Sequence, residues 1–314
     1  MRLLFSLFLL TLFLEAGSYA VDITPPLQNN TFMGIKILDQ KALSFDKIQG
    51  IDFKELSDLT YHAKTETLYM VSDKGALFAF NAHFSDTIDL LVPFSSSMLK
   101  NKQGKLLRSW QRDGEGLTLD GKNRLLISFE GNAKIGWFHK NSKKYGSLIR
   151  KYPLPKKLRN TKNYRSKNKS LEALAWHRKY GILTATEWPL KKDHKKRQTI
   201  YALSGKRWHF KAEPENKSAV VAMEVMDDGN VLVLERSYTS LTKPFIITLK
   251  KVYLQNNQHK MCKTKVLAKM NSHRGWNIDN FEGLAKVGKN RYVMISDDNN
   301  NFFQKTLLIY FEVL

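Results

Sequence analysis

Four pairs of carboxylates stand at one fixed spacing in this chain. Asp58 and Asp73, Glu115 and Glu130, Glu172 and Glu187, and Glu282 and Asp297 are each 15 residues apart. The first acid of a pair lies in a short acidic-apolar stretch, such as Gly114-Glu115-Gly116-Leu117 or Phe281-Glu282-Gly283-Leu284. The second closes a hydrophobic run, such as Leu126-Ile127-Ser128-Phe129-Glu130 or Val293-Met294-Ile295-Ser296-Asp297. A fifth copy is degenerate: Val231-Leu232-Val233-Leu234 ends on Glu235, but the residue 15 earlier is Val220. Carboxylates gathered this way suit a hard cation, and calcium takes about six to eight oxygens. The run Asp297-Asp298-Asn299-Asn300-Asn301 adds further oxygen donors.

Like charges facing each other across a hairpin repel. A cation, a reaching Arg or Lys, or protonation of some acids must therefore offset them. Arg112, three residues before Glu115, and Arg236, directly after Glu235, are placed to pair with the acids or to grip a phosphate in a bidentate way. The candidate metal ligands are thus the four pairs with Glu235, Asp298 and Asn299. Glu115, Glu282, Arg112 and Arg236 are the candidate catalytic groups. No Cys/His cluster has zinc-ligand spacing. No G-x-S-x-G elbow or Ser-His-Asp set points to a serine esterase. Against this stands the reading that acids at strand ends only lock neighbouring sheets together.

The elements that position these acids follow from the turns between them. Asp120-Gly121-Lys122-Asn123, Asp227-Asp228-Gly229-Asn230 and Val287-Gly288-Lys289-Asn290 are hairpin chemistry. Each acid pair then sits at the open end of an antiparallel hairpin, and the spacing predicts that its two members face one another. The second strands are apolar on both faces, as in sheets sandwiched between neighbours. The second acids recur at 57, 57, 48 and 62 residues. That fits a repeating unit of several strands and an all-β propeller of five or six blades. The segments Ile35–Leu43 and Leu307–Val313 are expected to share a blade and close the ring, bringing up to nine carboxylates to one mouth.

The first residues read as a leader. Arg2, the apolar run Leu3 to Leu14 and Ser18-Tyr19-Ala20 predict a signal peptide over 1–20, cut after Ala20. The apolar run falls short of the roughly 20 residues a membrane span needs. The expectation is one periplasmic or secreted domain over 21–314 with no membrane span. A single cysteine, Cys262, excludes a disulfide framework. The formal charge of +22 is concentrated in stretches such as Lys156-Lys157-Leu158-Arg159 and the run from Lys191 to Arg197. It suggests anionic partners: a phosphorylated small molecule or anionic envelope components. No nucleic-acid-binding signature accompanies the charge, so nucleic acid is not expected.

The motifs Arg112-Asp113-Gly114-Glu115-Gly116-Leu117, Leu234-Glu235-Arg236-Ser237-Tyr238, Phe281-Glu282-Gly283-Leu284-Ala285 and Ile295-Ser296-Asp297-Asp298-Asn299, with Gln304-Lys305-Thr306, resemble the phytase-like family, also described as "esterase-like activity of phytase". The resemblance implies an exported bacterial propeller and, by name, ester hydrolysis. β-Propeller phytases cluster calcium at an acidic channel mouth to bind phosphate and activate water. Two functions follow as expectations. One is a calcium-assisted phosphoester hydrolase. The other is a non-catalytic envelope-binding or scaffold propeller whose acid pairs are structural.

Overall fold

A computed structural model describes residues 17–26, 28–140, 143–166, 169–240, 243–255 and 261–314. The predicted leader therefore lies mostly outside the described residues. Four four-stranded antiparallel sheets and a fifth, a four-stranded core with two short added strands, form five blades around one axis. Blade 1 contains Leu56–His62, Thr67–Ser72, Ala76–Phe84 and Ile88–Met98, and blade 2 contains Gly114–Leu119, Leu125–Phe129, Lys134–Phe138 and Leu148–Tyr152. Blade 3 contains Leu171–His177, Gly181–Thr186, Arg197–Ala202 and Arg207–Lys211. Blade 4 contains Ala219–Val225, Val231–Ser237, Ile246–Val252 and Thr264–Asn271. Blade 5 takes Asn280–Gly288, Arg291–Asp297 and Thr306–Val313 from the C-terminal end and Ile35–Leu43 from the N-terminal end.

This settles the blade count at five and bears out the shared closing blade. Ile35–Leu43 pairs antiparallel with Thr306–Val313 from Val313 opposite Ile35 to Thr306 opposite Leu43. The first strand of every blade is innermost and touches the first strands of both neighbours, blade 5 against blade 1 included. A short strand, Ser18–Ala20, adds to the outside of Ile35–Leu43 with all three residues exposed.

The doubly apolar second strands are explained by their sandwiched position. Leu125, Ile127 and Phe129 pack with Tyr69, Val71 and Leu77 of blade 1, while the intervening Leu126 packs with Leu171 and Leu174 of blade 3. Period-2 alternation thus feeds two cores instead of one core and solvent. At the axis the inner strands crowd together. A Cβ on Gly116 would lie 2.5 Å from the carbonyl of Glu172, and one on Gly283 would lie 2.8 Å from Cα of Asp58. Glycine is required there because a neighbouring backbone occupies the side-chain space.

Every inner strand also carries a register shift near its start. The shifts fall between Leu56 and Asp58, Gly114 and Leu117, Leu171 and Leu174, Val220 and Ala222, and Phe281 and Gly283. Each is a β-bulge, an extra residue that bends the strand and re-aims its side chain. The acids of a pair consequently do not face one another, contrary to what the constant 15-residue spacing predicts. They occupy two successive levels.

Candidate functional site

The bulges and hairpin ends set those levels. The residue one place outward from the last pair before the bulge on each second strand is Asp73, Glu130, Glu187, Arg236 or Asp297. The amides of Asp73, Glu130 and Glu187 donate to the carbonyls of Glu55 (3.1 Å), Asp113 (3.0 Å) and Ser170 (3.2 Å). Arg236 and Asp297 lie opposite Ala219 and Asn280. The bulge region of each first strand supplies the second level: Ser57, Glu115, Glu172, Val221 and Glu282. In blade 4 the structural equivalents are therefore Val221 and Arg236. An arginine stands where the other blades place their second acid.

These carboxylates converge. Asp113, Glu115 and Glu130 each bring one oxygen within 4.8 Å of the others, and Glu130, Glu172 and Glu187 do the same. Asn280 ties in blade 5, its Nδ2 donating to Glu282 Oε1 at 2.9 Å and to Asp297 Oδ2 at 3.4 Å. Two cations answer them. Lys169 Nζ lies 2.6 Å from Glu187 Oε2. The Arg236 guanidinium donates to Glu282 and Asn280 and lies 3.5 Å from Glu187 Oε1. Burial works against the charge of Arg236, but Glu282, Glu187, Glu172 and Asp297 together hold it charged.

Burial and mutual repulsion make the acids reluctant to ionise. Burial, then Glu172, Asp113, Glu130 and Glu282, pushes Glu115 well above the carboxylate range. Burial, then Glu187, Glu130 and Glu282, does the same to Glu172. Burial with neighbouring acids raises Glu130 and Asp297 to about 8 each. Asp73 rises to about 6, chiefly by burial and against the pull of Lys74. Burial also raises Glu187, with Lys169 and Arg236 opposing. Glu172 Oε2 and Asp73 Oδ1 are buried without a hydrogen-bond partner among the described residues. Such oxygens are costly unless a proton or cation meets them. The donor set is all oxygen, which fits a hard divalent cation better than a thiophilic one.

Other acids singled out by the spacing are committed elsewhere. Asp58 lies next to the bulge because the hairpin of blade 1 is one residue longer than the rest. Its carboxylate accepts from the amides of Leu59 (2.8 Å), Leu117 (2.7 Å) and Leu284 (3.0 Å), joining blades 1, 2 and 5. Glu235 faces Val220 across the ladder and accepts from Lys250 (2.7 Å), Ser218 (2.9 Å) and the Glu213 amide (2.8 Å). Asp298 accepts from the amides of Glu55 (3.1 Å) and Asn300 (3.0 Å) and shapes the 298–305 loop. The Asn299 amide donates to Asp297 Oδ1 at 2.7 Å. Arg112 packs on Gly75 and lines a separate hollow with Glu55, Lys74 and Asn300.

Sequence reasoning missed Asp113, Lys169 and Asn280. A signal existed: Asp113 and Asn280 each precede their blade's second acid by 17 residues, the ladder distance outside the bulge. Lys169 has no such spacing and is visible only in three dimensions. Beside Glu187 and Arg236 opens a cavity of about 550 Å³, lined among others by Lys169, Trp188, Lys217, Tyr238, Asn299 and Phe303. That is the size of a small-molecule cleft.

Residues 51–300 match the model of the family described as phytase-like, "Esterase-like activity of phytase". No curated protein matches the sequence. Among solved structures, the PQQ-bound aldose sugar dehydrogenase of Streptomyces coelicolor is 10% identical with a TM-score of 0.47, the match covering 93% of this chain and 100% of that one. The virginiamycin B lyase of Staphylococcus aureus is 10% identical with a TM-score of 0.39, covering 95% and 100%. At such identities the likeness carries nothing about chemistry.

Proposed function

The chain belongs to the phytase-like family, and from that premise we propose that it is a phosphoester hydrolase working at the acidic mouth of its propeller with a bound divalent cation, calcium by the oxygen-only donor set. The observation that carries this reading is the convergence of Glu130, Glu172 and Glu187, with a Glu172 oxygen unpaired among the described residues, beside Arg236 and a small-molecule cavity. Glu130, Glu172 and Glu187 would hold the ion, with Asp113 and Glu115 adjoining them through the shared Glu130. A divalent cation there would supply Lewis acidity toward a phosphoryl oxygen and toward an attacking water.

The chain's own residues have separable roles. Lys169 and Lys217 at the cavity draw an anion in, and Arg236 orients it. The Arg236 NH1 is occupied by Glu282 and Asn280, so NH2, only loosely held by Glu187, faces the incoming phosphate. Glu282 and Asn280 hold Arg236 in place. The test is turnover of aryl phosphates and phytate by the purified protein, with calcium and with chelator. Chelator-sensitive turnover lost in Glu172→Gln supports the proposal, and no turnover under any condition contradicts it.

A second reading is favoured by the acids already committed to structure. Asp58, Asp298 and Glu235 are saturated by backbone and lysine donors. A non-catalytic propeller that binds an envelope component would bind calcium and gain stability from it without turnover.

We also propose export with a leader over 1–20 and a periplasmic or secreted mature domain over 21–314. Removal of the exposed strand Ser18–Ala20 costs no core contact, whereas Ile23 is buried in the blade 5 core. The intact mass of protein from an exporting host tests this. A mass starting at Val21 is expected.

A further inference from the structure

We infer that the mouth face docks on an anionic phospholipid surface, through Phe302 and Phe303 and the basic loops of blade 3. The inference does not depend on hydrolysis. Phe302 and Phe303 sit on the 298–305 loop with 96% and 89% of their surface exposed, edge to face with each other. Two adjacent phenyl rings held in water at a loop tip are poorly accounted for in a protein with a well-filled core. The loop is fixed from below by Asp298 and by Gln304, whose side-chain amide donates to Asp279 at 2.6 Å. The rings are therefore presented by an organised turn.

Charge says what covers them. The two mouth-side loops of blade 3 face the same cavity as Phe303, through Lys169 and Trp188. Between Pro153 and Ser170 there are seven Lys and Arg and no acid. The companion loop after Glu187 carries the exposed Lys191, Lys192, Lys195 and Lys196 with a single acid, Asp193. The loops are locked together, because Lys191 donates its amide to Asn163 and Arg165 reaches the carbonyls of Pro189 and Asp193. The result is a basic shelf on one side of the mouth and an aromatic tip on the other. A soluble polyanion would answer the shelf but leave the rings in water. An anionic lipid surface answers both, with phosphates against the lysines and the rings at the acyl boundary.

The test is co-sedimentation of the full chain with phosphatidylcholine vesicles and with mixed phosphatidylglycerol–phosphatidylcholine vesicles, at ~0.1 M salt where exposed charges still act over about 10 Å. Binding to the mixed vesicles only is expected. F302S/F303S should weaken it about tenfold or more through lost apolar burial. K191E/K192E should weaken it further, at about fivefold per lysine lost. Both pairs are exposed, so a thermal melt matching the parent chain separates lost docking from lost fold. Equal binding to neutral vesicles, or mixed-vesicle binding untouched by F302S/F303S, overturns the inference. If binding survives F302S/F303S and is displaced by dextran sulfate, the shelf is a polyanion site.

Discussion

At Glu172 a carboxylate is held out of water with one oxygen unpaired among the described residues and acids on both sides, and a proton or a cation relieves it. Glu172→Gln keeps the shape and removes the charge. In chelator at pH 8 it should melt a few degrees higher than the parent, and calcium should no longer shift the melt. Arg236 is the reverse case. Arg236→Met leaves Glu187 and Glu282 buried without their guanidinium and should cost about 3 kcal/mol in urea unfolding at pH 8. These two residues mark what one-dimensional spacing could and could not reveal. The 15-residue interval found Glu115, Glu130, Glu172, Glu187, Glu282 and Asp297. It could not show that Glu235 belongs one place inward, because a bulge shifts register without changing residue type.

At the scale of the strand, the bulge near the start of the inner strand lifts Glu115, Glu172 and Glu282 out of the ladder in blades 2, 3 and 5, whereas blades 1 and 4 place Ser57 and Val221 there. Gly116 and Gly283 let the neighbouring inner strands approach at that level. Gly283→Ala should force Asp58 and Leu59 aside and cost about 2 kcal/mol in unfolding free energy. Asp58→Ala should also destabilise, by stranding the buried amides of Leu117 and Leu284, with no loss of calcium response because Asp58 lies outside the cluster. A melt of Asp58→Ala with and without calcium checks both halves. The hairpins, their turns and the doubly apolar second strands were legible in the sequence because local chemistry fixes them. The bulges were not, since they arise from packing five strands about one axis.

For the whole molecule, closure of blade 5 by Ile35–Leu43 makes the ring a single unit, so the charge at the mouth bears on global stability. Glu130 and Asp297, raised to about 8, keep protons in the folded state that the unfolded chain has lost. Their contribution is full below the ordinary carboxylate range and is lost as pH rises toward 8. Glu224, raised to about 7 by burial, adds in the same direction. Lys134, lowered to about 7 by burial, acts oppositely and only above that pH. Glu213 and Asp120 are held below the usual range by Lys250 and Arg124 against the cost of burial, and they lose their contribution in acid. Metal-free protein should therefore be most stable near about pH 5 and weaken toward pH 8.

The family resemblance was readable from the motifs, whereas the blade count and the place of Arg236 needed the closed ring. The central claim is that the mouth carboxylates form a cation site. Calorimetric titration of metal-free protein with calcium at pH 8, in two buffers of different ionisation enthalpy, tests it directly. The account predicts saturable binding with net proton release, abolished in Glu172→Gln. No binding, or binding that neither releases protons nor depends on Glu172, would contradict it.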